Sequence, residues 1–94
     1  MKNNQDQTQN NVRLEVNRIE DQSLKVDEIL RIQIESNIQN VYYTSLSPFI
    51  EVNTQGQIFY QADEYDIGIH QVIILVEDSR GNVEEVNFNL EVIA

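Results

Sequence analysis

Two long runs rich in apolar side chains, the second alternating with polar ones, are joined by a short polar segment and fill residues 67–93. Strand side chains alternate between the two faces of a sheet, so every second residue of each run lies on the same face. Those residues are His70, Val72, Ile74 and Val76 in the first run and Val86, Phe88, Leu90 and Val92 in the second. The segment between them, residues 78–82, carries Asp, Gly and Asn, which favour tight turns. The stretch predicts a long β-hairpin, which is marginal alone and needs a second layer to cover its apolar face.

The rest of the chain supplies further short strands. Apolar or alternating runs lie at residues 12–20, 24–26, 30–34, 41–46, 49–52 and 57–60, and residues 62–66 form a polar or single-turn helical connection. With the hairpin this gives about seven strands separated by turn signals, which is typical of an all-β, two-sheet sandwich. A helix over residues 26–34 is excluded because the apolar spacing there is two rather than three and four. We expect a disordered leader or linker over residues 1–11 and one sandwich domain over residues 12–94.

Charge and composition restrict the class of protein. The formal net charge of −10 disfavours binding to nucleic acid or to anionic lipid surfaces. The chain has no cysteine, so disulfides cannot stabilise it and redox state does not point to a compartment. No apolar run is long enough to cross a membrane, and residues 1–11 are too polar for a signal peptide. The protein is therefore expected to be either cytoplasmic or a segment of a larger secreted or anchored protein.

Three segments resemble the cadherin-like and immunoglobulin-like domains of the dystroglycan-type cadherin group. They are IEDQSLKVDEILRIQI (residues 19–34), SPFIEVNTQGQI (residues 47–58) and DIGIHQVIILVEDSRGNVEEVNFNLEVI (residues 66–93). Together they span about 80 residues, in the same order as in that group. The resemblance implies an immunoglobulin-like sandwich, usually one repeat in a string, which serves spacing, adhesion or protein contact outside the cell or at its surface. It also implies that the domain is not an enzyme.

The chain departs from that group at two places. Many members carry an Asp-x-Asp-Gly-Asp cluster after the second strand, where residues 35–40 read ESNIQN and hold one acid. The aromatic residue that usually precedes the core of the penultimate strand is His70 here. The first difference argues against calcium binding of the family type, and the second predicts a different core edge.

Acidic side chains are the candidates for a metal site. Calcium takes six to eight oxygen ligands, and a cadherin-type site also needs a neighbouring domain. The candidates at one end of a sandwich are Glu20, Asp21, Asp66 and Asp78, with a local acidic run at Asp63 and Glu64. We expect solvated loop acids, no cofactor and no metal ligand, with a calcium-dependent module as the alternative function.

His70 is the only histidine and thus the only candidate for a catalytic base of the triad type. Its place in the alternation predicts a core-edge position beside Val72, with a pH-sensitive contact and a small hydrolase as the alternatives. A pair of carboxylates acting as acid and base would need a cleft that a small sandwich does not offer. The sequence predicts no enzyme activity.

Ile73 and Leu75 are apolar on the face opposite Val72 and Ile74. Either a flanking strand or long side chains cover them, or they form a protein contact, which Tyr42 or Tyr43 and Phe49 could extend. An open sheet edge could also add a strand to a partner. We predict a non-catalytic structural or adhesive protein-interaction module that contacts a protein partner or neighbouring domains through Ile73 and Leu75. It would be a repeat or subunit of a larger cell-surface or assembly-forming protein.

Overall fold

The structure is a computed structural model that describes residues 12–94, so the predicted leader lies outside the described residues. Six strands and a one-turn 3-10 helix at Glu64–Asp66 form in this part of the chain. The strands are β1 (Gln22–Lys25), β2 (Ile29–Gln33), β3 (Tyr42–Ser45), β4 (Gln57–Gln61), β5 (Gly68–Glu77) and β6 (Val83–Ile93). None of the helical structure in residues 12–94 is long and apolar enough to cross a membrane.

The strands form two sheets. The larger sheet has the order β1-β6-β5-β3, in which β1 runs parallel to β6 and the other neighbours are antiparallel. The smaller sheet pairs β2 with β4, and Val52 adds a single bridge to Ile58 of β4. A second bridge joins Val16 to Ser36, just beyond the end of β2. The predicted all-β, two-sheet sandwich is confirmed.

The predicted hairpin forms from β5 and β6, and its turn is held by Asp78. One carboxylate oxygen of Asp78 accepts hydrogen bonds from the backbone N–H groups of Arg80 and Asn82, each at 2.9 Å, and the other accepts from the Asn82 side chain at 2.9 Å. The Asn82 amide lowers the pKa of Asp78, backbone N–H groups add to this, and burial opposes it. The turn therefore satisfies a carboxylate that is almost fully buried.

The core lies between the two sheets. Val72, Ile74, Val76 and Leu90 are completely inaccessible to water. The larger sheet also contributes Leu24, Val86, Phe88 and Val92, and the facing layer contributes Leu30, Ile34, Ile50, Ile58, Tyr60 and Ala62. Truncating one such aliphatic side chain to alanine typically costs about 2–5 kcal/mol, so this cluster is the main source of stability.

The first predicted strand, residues 12–20, forms no regular strand. Asparagine side chains replace part of its backbone pairing. Asn37 accepts a hydrogen bond from the Glu15 N–H at 2.8 Å and donates one to the Arg13 carbonyl at 2.7 Å. Asn17 accepts one from the Glu35 N–H at 2.7 Å. The segment is thus attached to the sandwich through amide side chains as well as through a single bridge.

Candidate protein-contact surface

Four apolar side chains lie on the outer face of the larger sheet where β3 and β5 pair; Ile69, Val83 and Ile93 are also exposed on this face. Ile73 and Leu75 of β5 are only partly exposed, because they lie between β3 and β6. The N–H of Leu46 donates to the carbonyl of Ile73 at 2.9 Å, so Leu46 lies beside Ile73, and it is 56% exposed. Tyr42, at the other end of β3, is 68% exposed. We call Tyr42, Leu46, Ile73 and Leu75 the apolar strip.

Of the residues considered for extending this patch, Tyr42 lies on its face, whereas Tyr43 and Phe49 face inward. Tyr43 lies opposite the buried Val76, so its ring faces the interior. Phe49 is partly buried and makes edge-on ring contacts with Tyr60 and with His70, at centroid distances of 5.3 and 4.7 Å. The alternation of residues 42, 44 and 46 in the sequence could have identified Leu46, which we missed.

The strip is bordered by acids. Glu85 of β6 lies opposite Leu75, and Glu77 lies opposite Tyr42. The three strands that carry or border the strip, β3, β5 and β6, contain no lysine or arginine. A partner that covers the strip therefore meets an apolar centre with negative charge beside it.

His70 lies on the inner face of β5, opposite Leu90, and is partly buried. Its Nε2 is 2.6 Å from the backbone carbonyl oxygen of Asp66, which can only accept, so this nitrogen carries the hydrogen. The ring is further held by Phe49. These two contacts anchor the imidazole at the edge of the core.

Tyr60 fastens the connection between β4 and β5. Its hydroxyl donates to the Asp66 carboxylate at 2.6 Å, and the ring is buried. Burial, and after it the hydrogen bond to Asp66, raise the pKa of Tyr60 to about 12. The phenol therefore stays protonated across the physiological range and acts as a structural donor.

The acids considered for calcium do not meet. Asp66 precedes β5 and Asp78 follows it, and these ten residues separate the two by about 33 Å. The Asp21 carboxylate accepts from the Asn89 N–H at 2.9 Å, on β6. The expectation that these acids share one end of the sandwich is wrong. Within residues 12–94 no three His, Cys, Asp or Glu side chains are grouped so that they could hold a metal ion.

The comparisons with known proteins identify the fold. No protein-family model matches the chain, and no curated protein matches it. Among solved structures the chain is similar to the BIgI domain of beta protein from S. agalactiae bound to CEACAM1. The identity is 16%, the TM-score is 0.57, and the match covers 86% of this chain and 97% of that chain. The protein thus has an immunoglobulin-like sandwich fold, while the narrower resemblance to the dystroglycan-type cadherin group gains no support.

Proposed function

We propose that this protein is a non-catalytic interaction module that binds a partner protein through the apolar strip. The observation that carries the proposal is the exposure of Leu46 and Tyr42 beside Ile73 and Leu75 on one sheet face. Scattered apolar residues are common on protein surfaces, but a contiguous set on a sheet face is typical of a contact site. The similar S. agalactiae domain was solved bound to a protein, which is consistent with this use of the fold.

The charge around the strip selects the kind of partner. Glu77 and Glu85 border the strip without a compensating base on the same three strands, and the whole chain carries a formal charge of −10. Two such faces repel each other, which disfavours a second copy of this chain. The surface that fits is an apolar patch with lysine or arginine at its rim.

We also propose a structural or adhesive role for the module within a larger cell-surface assembly. Residues 16 and 36 pair at one end of the sandwich, and residues 25 and 93 pair at the other. The described part of the chain thus enters and leaves at opposite ends, which suits a module placed between others.

The test uses a photo-crosslinking amino acid in place of Leu46, with the same group in place of Ser79 as the control. Adducts specific to position 46 identify the partner, which is then purified and titrated against variants. Ile73→Lys with Leu75→Lys should weaken binding by at least about tenfold. Ser23→Lys with Ser79→Lys adds the same charge at exposed positions and should leave binding unchanged. Equal binding by both double variants, or no adduct specific to position 46, would show that the strip is not the contact.

A further inference from the structure

Strand β3 is at the edge of the larger sheet and has a hydrogen-bonded neighbour on one side only. The bond from the Leu46 N–H to the Ile73 carbonyl fixes the phase of the β3–β5 ladder. Along an antiparallel ladder, residue pairs that exchange backbone hydrogen bonds alternate with pairs that do not. Thr44, two residues before Leu46, therefore also turns its backbone N–H and C=O groups toward β5. Tyr43 and Ser45 therefore turn theirs away, toward the open edge.

The open edge carries four unpaired backbone groups. Within residues 12–94, the N–H and C=O groups of Tyr43 and Ser45 have no hydrogen-bond partner outside the ladder, and the ladder does not use them. The Ser45 hydroxyl is occupied locally, since it donates to the Ser47 carbonyl and accepts from the Ser47 N–H, both at 3.2 Å. Donors and acceptors that repeat every second residue, about 6.7 Å apart, match the backbone of another extended chain.

Two cavities flank this edge, between β3 and the segment that pairs with β4 through Val52. The first has a volume of about 610 Å³ and the second about 550 Å³, and both are lined by Tyr43 and Val52. Ile38 and Val41 add apolar surface to the first cavity. The only charged residue among those lining the two cavities is Glu51. Side chains of every second residue of an added strand would point toward these cavities, and uncharged side chains fit them.

We propose that the open edge of β3 receives an extended segment of a partner protein as an added antiparallel or parallel strand. Its backbone pairs with Tyr43 and Ser45, its uncharged side chains enter the two cavities, and its remaining side chains lie beside the apolar strip. The inference rests on the proposed interaction function and names how the partner is held. Pairing of two copies through this edge is disfavoured by the charge of −10 on each chain.

The probe is a displayed library of random peptides of about ten residues, selected on the full chain. Ser45→Pro removes one edge N–H and places a ring on the edge, a position that edge strands tolerate. Ser45→Ala is the matched control, because it loses the same side-chain hydrogen bonds and keeps the N–H. Selected peptides should bind the wild type and Ser45→Ala equally and Ser45→Pro about tenfold more weakly.

A second experiment changes the peptide and keeps the wild-type protein. N-methylation at those alternate peptide positions that donate to Tyr43 and Ser45 should abolish binding, while methylation at the intervening positions should not. If N-methylation affects binding equally at both sets of peptide positions, the peptide is not bound as an added strand. If the selected peptides bind Ser45→Pro as well as the wild type but do not bind Leu75→Lys, the edge of β3 is not the binding site, while the proposed interaction through the apolar strip is retained. A wild-type dimer that Ser45→Pro abolishes would assign the edge to a second copy, and a library without binders would count against both proposals.

Discussion

Gly56 offers a sharp test of how the turn before β4 is packed. Its φ is +79°, a backbone conformation that side chains rarely adopt. A Cβ added there would lie 2.7 Å from the Tyr43 ring and 2.9 Å from the Ile34 carbonyl oxygen. The tyrosine ring could swing aside. The carbonyl cannot retreat easily, because the Ile34 N–H is itself bonded to the Gly56 carbonyl at 2.8 Å.

Gly81 provides the matched control for Gly56→Ala. Its φ is +87°, and an added Cβ would meet nothing within 4 Å. Gly81→Ala therefore carries only the backbone cost of the left-handed region, about 1–2 kcal/mol. Gly56→Ala carries the same cost together with overpacking of about 1–3 kcal/mol, which gives about 2–5 kcal/mol in total.

Urea unfolding of the wild type and both variants, monitored by far-ultraviolet circular dichroism, measures the two free energies of unfolding. The difference between their free energies of unfolding measures the cost of the contact with Tyr43 and Ile34, because both variants share the cost of the left-handed backbone. If Gly56→Ala and Gly81→Ala lose the same stability within about 0.5 kcal/mol, the packing of this turn is not as described.

Two further variants test the titrating groups. The folded pKa of Tyr60, about 12, lies above the ordinary tyrosine value near 10, so its contribution is complete below about pH 10 and lost as the pH rises toward 12. Denaturation midpoints should fall less steeply over this range in Tyr60→Phe than in the wild type or in the exposed control Tyr65→Phe, and equal slopes would rule out the raised pKa of Tyr60. The pKa of Asp78 is lowered by Asn82, so its contribution is present above about pH 4 and lost as the pH falls through the lowered value. Melting temperatures between neutral and acidic pH should therefore drop less in Asp78→Asn, and a drop as large as in the wild type would contradict this role.

The sequence predicted the parts of the fold where side-chain alternation and backbone pairing agree. The hairpin of β5 and β6 forms as expected, because its inner residues, such as Val72 and Leu90, face a second layer. Residues 12–20 alternate equally well but form no strand, since Asn37 and Asn17 provide hydrogen bonds that a neighbouring backbone would otherwise make. Alternation cannot reveal this, because it reports burial and not the source of the hydrogen bonds.

The site predictions were correct about position where strand alternation fixed the direction of a side chain, and they failed elsewhere. Ile73 and Leu75 were placed on the outer face by counting in twos, and they lie there. Whether they form a contact stays a prediction. Phe49 follows Pro48 outside any regular strand, so no alternation fixed its direction, and it packs inward on His70. The calcium candidates failed because acidity alone does not say at which end of a strand a loop lies.

The attachment of the first segment depends on the two-sided chemistry of an asparagine amide. Asn37 accepts from one backbone group through its amide oxygen and donates to another through its NH₂ group. Slow hydrolytic loss of ammonia would turn that NH₂ into a second oxygen, which would face the Arg13 carbonyl lone pairs without a hydrogen between them. Deamidation at position 37, which accumulates as a molecule ages, would therefore weaken the attachment of the first segment to the sandwich.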